Sequence, residues 1–138
     1  MALEELEVTW EELQGQAELL SRESQRYIEF FEHAPDAYIV TDAGGNIREV
    51  NRAAAELLGA GRDQLVRRPL GGFLAEADRV AFLSRLVGVL AEGAGKDAWE
   101  AHLAPPSAAP LRALFSVRAI PLGKSGVAGL CWLIRPLD

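Results

Sequence analysis

The first 33 residues carry apolar side chains at positions alternately three and four residues apart. Leu3, Leu6, Trp10, Leu13, Ala17, Leu20, Tyr27 and Phe31 form this stripe together with the polar Ser24. Such spacing keeps one side of a helix facing a partner helix over about four heptads. The pattern predicts a long amphipathic N-terminal helix whose stripe, from Leu6 to Phe31, is either a dimer interface or a surface that folds back onto the chain's own sheet.

A strand, a turn, a second strand and a capped helix are predicted between residues 37 and 59. Ala37 to Thr41 and Ile47 to Val50 are rich in β-branched and apolar residues, and Gly45 lies in the turn between them. Asn51 is a residue type that caps helix N-termini, and Gly59 can adopt the left-handed conformation that ends a helix. We assign structural roles to Gly45, Asn51 and Gly59.

In the second half of the chain, a segment with the apolar period of a helix is followed by three strand-like runs. Glu76 to Leu90 has apolar residues at 80, 83, 86, 87 and 90, which predicts an amphipathic helix with its buried face at those positions. Three strands are predicted at residues 97–103, 111–122 and 127–135. The last run is uncharged at both alternating sets of positions up to Ile134, as expected of a central strand that is buried on both sides.

These motifs resemble a PAS domain, the small sensory module of signal-transduction proteins. The matching residues are Pro35, Asp36, Ala37, Val40, Thr41, Asp42, Gly45, Ile47, Val50, Asn51, Ala54, Leu57, Leu58 and Gly59. The resemblance implies an α+β fold, with a five-stranded antiparallel sheet, helices on one face and the long helix in front. It also implies structural roles for Asp42 in the hairpin and Asn51 at the helix start. It divides the chain into a dimerisation helix at 1–33 and a PAS domain at 34–138.

Charge is distributed unevenly along the chain. Residues 1–33 contain nine Glu and two Arg, a net charge of −7, whereas residues 34–138 are close to neutral. Nucleic-acid binding requires a clustered cationic face, and only Arg62, Arg67 and Arg68 lie near one another in the sequence. No apolar run approaches the roughly 20 residues that span a bilayer. We expect a cytoplasmic fragment with no nucleic-acid or membrane contact.

The residues that usually carry catalysis or bind metals are scarce. The chain has two histidines, His33 and His102, and one cysteine, Cys131, which are too few for a zinc site built from Cys and His. No G-x-S-x-G elbow or phosphate-binding loop is present. We therefore expect no metal site and no catalytic residue here. Any catalytic output domain would lie outside this chain.

The resemblance also bears on cofactors. Flavin-adduct relatives use a cysteine in the helical segment after the hairpin, but residues 59–74 contain none. Haem-binding relatives use a histidine on the long helix, and residues 76–90 contain none. No cofactor is predicted, while a noncovalent small ligand stays open. Its pocket would lie between sheet and helices, lined by Phe73, Phe82, Leu86, Trp99, Phe115 and Val117. The alternative is an ordinary core, since apolar residues at these periods more often serve packing.

Two functions follow from the resemblance. The first is a regulatory module that dimerises through its N-terminal helix, senses a small ligand and acts on a signalling partner or fused output domain. The alternative is a constitutive docking or dimerisation domain that binds no small molecule.

Overall fold

The computed structural model describes residues 14, 15, 18, 22–92, 98–106, 109–121 and 127–137. The chain divides into two compact units, Met1–Glu32 and His33–Asp138. In the first unit, the described residues are helical. None of the helices in the described ranges is long and apolar enough to cross a membrane.

The second unit contains a five-stranded antiparallel sheet. Its strands are β1 (Ala37–Thr41), β2 (Ile47–Val50), β3 (Trp99–Leu103), β4 (Leu111–Pro121) and β5 (Val127–Pro136). Their order across the sheet is β2-β1-β5-β4-β3, so the last strand is central, as predicted. The α+β fold predicted from the sequence is confirmed.

The helical segments follow the β1–β2 hairpin. They are α1 (Arg52–Leu58), α2 (Arg62–Leu65), two 3-10 turns at Leu70–Phe73 and Glu76–Asp78, and α3 (Arg79–Glu92). The predicted helix from Glu76 is therefore divided, because its first three residues form a 3-10 turn and the α-helix begins at Arg79.

One face of the sheet forms the core together with the helices. Its buried side chains alternate along each strand, as the two-residue period of a strand requires. They include Ile39 in β1, Ala101 and Leu103 in β3, Phe115 in β4, and Trp132 in β5.

The two faces of the central strand are buried to different degrees within the single chain, so burial of both sides of β5, which needs a covering helix or second chain, stays a prediction. Leu130, Trp132 and Ile134 point inward and are fully buried, but Cys131 and Leu133 are only partly buried. The uncharged residues at both alternating sets of positions therefore show that neither face of β5 carries a charge up to Ile134. They do not show how deeply each face is buried. Burial raises the pKa of the Cys131 thiol.

The face that α3 buries agrees with the predicted interior residues Phe82 and Leu86, but only in part with the predicted apolar stripe. Val80, Leu83 and Val87 are 77%, 57% and 63% exposed, whereas Phe82, Leu86 and Val89 are buried. Both sets repeat with the helical period, so periodicity alone does not choose between them. The large ring of Phe82 stacks on Trp132 of the sheet, which fixes the rotation of the helix about its axis.

Candidate functional site

A cluster of aromatic side chains fills the space between α3 and the sheet. The rings of Phe82 from α3 and Trp132 from β5 are stacked, with centroids 4.9 Å apart. Trp99 from β3 forms a T-shaped contact with Trp132, with 6.3 Å between ring centroids, and stacks on Phe115 from β4 at 5.8 Å. Such pairs contribute about 0.5–1.5 kcal/mol each beyond the burial of their area. The cluster joins four elements of the fold through direct ring contacts.

The polar end of Trp132 has a buried partner on β1. Its indole Nε1 donates a hydrogen bond of 2.9 Å to Thr41 Oγ1, and both residues have no exposed surface. The Thr41 hydroxyl in turn donates to the carbonyl oxygen of Asp42 at 2.9 Å. The aromatic cluster is therefore connected by hydrogen bonds to the end of β1 and the start of the hairpin turn.

Trp99 lies at the edge of the cluster. It is only partly buried, while Ala101 and Leu103 on the same face of β3 are buried and Glu100 and His102 are exposed. The Arg85 guanidinium lies 5.1 Å from the centroid of the Trp99 ring, within the range of a cation–π contact. Trp99 and Arg85 thus lie between the interior and solvent beside the middle of α3.

The structure places the six predicted pocket residues in the core or at its edge. Five of them, Phe73, Phe82, Leu86, Phe115 and Val117, are buried. Phe82, Trp99 and Phe115 are brought together around Trp132, and Val117 is opposite Trp132 in the β4–β5 register. Their role as a ligand pocket stays a prediction.

Sequence reasoning missed Trp132, the largest fully buried side chain among the described residues of the domain. It belongs to the predicted central strand, where both alternating sets of residues are uncharged, so the sequence did not show which set faces the helices. Its size is the one signal in the sequence, because Trp132 is the bulkiest residue of that strand, but size alone does not decide which face of the sheet a residue occupies.

The hairpin turn is organised by Asp42. One carboxylate oxygen accepts hydrogen bonds from the backbone N–H groups of Gly44 and Asn46, both at 2.9 Å, and the Asn46 side chain donates to the other at 3.2 Å. The backbone hydrogen bond from Asn46 is the main reason that the pKa of Asp42 lies below its usual value. Gly45 completes the turn with φ of 86°.

Asn51 connects the start of α1 to β1. Its Oδ1 accepts from the backbone N–H groups of Ala54 at 2.9 Å and Tyr38 at 3.0 Å, and its Nδ2 donates to the carbonyl of Asp36 at 2.9 Å. Asn51 is fully buried, so water cannot replace these partners. Gly59 ends the helix with φ of 70°.

His102 is exposed and joins β3 to the 3-10 turn before α3. Its Nδ1 lies 3.0 Å from Asp78 Oδ2, and the same oxygen accepts from the His102 backbone N–H at 2.8 Å. His33 is exposed as well. Among the residues that the structure describes, no group of three His, Cys, Asp or Glu side chains is placed to hold a metal ion.

Two surface hollows of about 360 Å³ each lie apart from the aromatic cluster. One is lined by Asp42, Asn46, Ile47, Arg48, Val66 and Arg67, and the other by Pro35, Asp36, Ala37, Ala53, Glu56, Leu57 and Pro136. Neither is lined by a residue that the sequence analysis assigned to the ligand pocket.

The predicted dimer stripe can be followed over its last three members, Ser24, Tyr27 and Phe31. Tyr27 is 63% exposed and stacks on the ring of Phe31, with 6.3 Å between centroids, which is the contact expected four residues apart on a helix. Leu6, Trp10, Leu13, Ala17 and Leu20 lie outside the described residues. Dimerisation through this stripe stays a prediction.

Known proteins place the fold in a class of small sensory domains. A family model described as the PAS fold matches residues 25–137, and the chain therefore belongs to the PAS family. No curated protein is significantly similar in sequence.

Solved structures agree with this assignment. The PAS domain of an HTR-like protein from Haloarcula marismortui superposes with a TM-score of 0.76 at 21% identity, over 90% of this chain and 99% of that one. A domain of a sensory box histidine kinase/response regulator from Geobacter sulfurreducens gives 0.67 at 22% identity, over 84% and 96%. The PAS domain of a LuxR-family transcriptional regulator from Burkholderia thailandensis, in complex with ethanol, gives 0.62 at 18%, over 80% and 96%. At these identities the likeness concerns the fold.

Proposed function

We propose that this chain is a regulatory module of a cytoplasmic signal-transduction protein, which dimerises through its N-terminal helix and responds to a small apolar ligand. Membership of the PAS family supports the sensory role. The observation that carries the proposal is the buried hydrogen bond from Trp132 Nε1 to Thr41 Oγ1, which connects the aromatic cluster to β1. Catalysis, if the parent protein has any, belongs to an output domain or partner outside this chain.

In the proposed mechanism, a ligand changes the packing of the aromatic cluster. This change is transmitted through the sheet to the ends of the domain. Thr41 closes β1, the first strand after the N-terminal helix in the sequence. At the other end of β1, Asp36 pairs with Arg135 near the end of β5 at 3.2 Å. A ligand that displaces Trp132 would strain the β1–β5 pairing and alter the two positions where the flanking chain leaves the sheet. Packed interiors switch between discrete arrangements, which suits a two-state response.

The ligand site would open at the edge formed by Trp99 and Arg85. The five buried residues that the sequence analysis assigned to the pocket are apolar, so the ligand would be an apolar or aromatic molecule with few polar groups. Native mass spectrometry of the protein purified from cells should show a retained small molecule, and Trp99→Ala should change its retention. Glu100→Ala, an exposed neighbour on the same strand, is the matched control and should retain the ligand unchanged. Equal retention by both variants would contradict this site.

Dimerisation would use the apolar stripe of residues 3–31. Changing Leu13 and Leu20 together to Lys puts two charges in the stripe and should yield monomers by light scattering. The control is Gln14→Lys with Gln25→Lys, which adds the same two charges at exposed positions outside the stripe and should leave a dimer. If the Leu13/Leu20 variant stays dimeric, association lies elsewhere in the chain.

A second candidate function is a constitutive docking or dimerisation domain without a small ligand. The direct stacking of Phe82 on Trp132 favours it, because these rings occupy the space where a ligand would lie. Under this candidate, Trp99→Ala lowers stability and changes no small-molecule retention.

A further inference from the structure

The solvent-facing side of α3 is uncharged over more than three helical turns. Its residues are Val80, Ala81, Leu83, Ser84, Val87, Gly88, Leu90 and Ala91, of which Leu90 is partly buried and the others are exposed. We call this surface the α3 solvent face. The two arginines of the helix lie at its margins, where Arg79 donates to the carbonyl of Leu74 and Arg85 lies over the Trp99 ring.

An uncharged solvent face is unusual for a helix at the surface of a water-soluble domain. Surface helices normally place charged residues opposite their buried stripe, and α3 already buries a separate stripe of Phe82, Leu86 and Val89. Exposed contiguous apolar patches mark interaction sites. The α3 solvent face is therefore a second packing surface on the same helix.

We propose that the α3 solvent face pairs, in antiparallel orientation, with the same face of a second copy of this chain. The order of large and small side chains supports this occupant. When the two helices are centred on each other between residues 85 and 86, Val80 lies at the height of Ala91, Leu83 at the height of Gly88, and Ser84 at the height of Val87. Each level then holds one large and one small side chain, which allows an even and close separation along the pair.

Charge and shape both favour antiparallel over parallel pairing. A parallel pair would place Val80, Leu83 and Val87 each against its own copy and would bring Arg79 beside Arg79. The antiparallel pair instead places Arg79 at the height of Glu92 of the partner subunit, a residue of opposite charge. The surface at Gly88 is open, since a Cβ there would meet no atom within 4 Å.

The size of the face predicts a weak contact. Fourteen residues make a helix about 21 Å long, and two such helices bury less than the roughly 1,200 Å² of a stable interface. The contact goes beyond the proposed dimerisation through residues 3–31 and does not depend on it. Where another contact already holds two copies together, a high effective concentration would strengthen the α3 pairing.

Disulfide trapping in the full chain tests the register. In a Cys131→Ser background, Val80→Cys and Ala91→Cys are combined, since residues at equal height can come within the roughly 7 Å between Cα atoms that a disulfide allows. Within one helix these positions are about 17 Å apart, so any disulfide between them must join two chains. After oxidation we expect a covalent dimer from the double variant and none from either single variant, because the same residue is also about 17 Å from its own copy along the pair. Dimers from Val80→Cys alone, or no dimer from the double variant, would overturn the proposal.

A charged substitution on the α3 solvent face provides a second test of the proposal. Val87→Glu, added to the double-cysteine chain, should lower the initial rate of disulfide dimer formation at least tenfold without changing the circular dichroism spectrum, because residue 87 is 63% exposed. Ala77→Glu adds the same charge at an exposed site before α3 and should leave the rate unchanged. An equal rate for both variants would show that the contact does not involve this face.

Discussion

The hydrogen bond between Trp132 and Thr41 should be worth a measurable part of the stability of the domain. Thr41→Val keeps the shape and branching of the side chain in β1 but removes the acceptor of the indole N–H. Both residues are fully buried, so water cannot replace the lost partner. A buried donor left without a partner costs about 1–3 kcal/mol. The Asp42 carbonyl also loses the Thr41 hydroxyl, although it still accepts from the Gly45 backbone N–H at 3.1 Å.

A second substitution separates the hydrogen bond from packing. Thr41→Ser keeps the hydroxyl and removes one methyl group, which costs about 0.8 kcal/mol of transfer free energy, with a further cost for the cavity left behind. We expect Thr41→Val to be the more destabilising of the two, near the upper part of the 1–3 kcal/mol range. The result would show that the indole hydrogen bond, and not the methyl contact, connects β5 to β1 here.

Urea denaturation followed by circular dichroism measures both effects. The free energy of unfolding is extrapolated to water, and all variants are compared at one protein concentration because association would shift the apparent stability. Equal slopes against urea indicate that only stability has changed. If Thr41→Val costs no more than Thr41→Ser, the hydrogen bond does not stabilise the fold and the proposed route from the aromatic cluster to β1 loses its support.

Three further changes have clear expected outcomes. Asn51→Ala should lower the free energy of unfolding, measured by urea denaturation, by about 2–4 kcal/mol, because it removes the cap of α1 and leaves the Tyr38 N–H unpaired. A loss below about 1 kcal/mol would show that water or a neighbouring group replaces the Asn51 side chain as hydrogen-bond partner. Gly129→Ala should cost about 1–3 kcal/mol, since a Cβ there would lie 2.5 Å from the Thr41 carbonyl oxygen, and unchanged stability would mean that β1 and β5 separate easily. Asp42 has a lowered pKa in the fold, so its stabilisation is present above the unfolded value near 4 and is lost as the pH falls through the folded value. Asp42→Asn should remove this part of the acid sensitivity, and identical pH profiles for the two proteins would contradict it.

The hairpin and the first helix could be predicted from the sequence because their signals are local. Asn51 and Gly59 act within a few residues of their own positions, and the structure shows Asn51 accepting from Ala54 and Gly59 at positive φ. The turn at Gly45 is equally local. Short-range chemistry of this kind does not depend on how the rest of the chain packs.

The rotation of α3 about its axis and the role of Trp132 could not be predicted from periodicity, because both depend on contacts between residues distant in sequence. Two apolar stripes on α3 have the same period, and the choice between them is made by Phe82 packing on a strand about 50 residues later. The predicted pocket residues were apolar and inward-facing for the same general reasons as any core. The sequence therefore indicated which side chains line the interior, but it did not identify Trp132 as the ring at their centre.

Native mass spectrometry of the full chain tests the proposed function most directly, because it reads association and ligand binding in one spectrum. The account predicts a species of twice 14.9 kDa that carries an additional small-molecule mass, with the Leu13/Leu20 lysine variant appearing as a monomer. A dimer without added mass, unchanged by incubation with a pool of apolar metabolites, would instead support the constitutive docking domain. A wild-type chain that is monomeric and ligand-free at micromolar concentration would contradict the proposal.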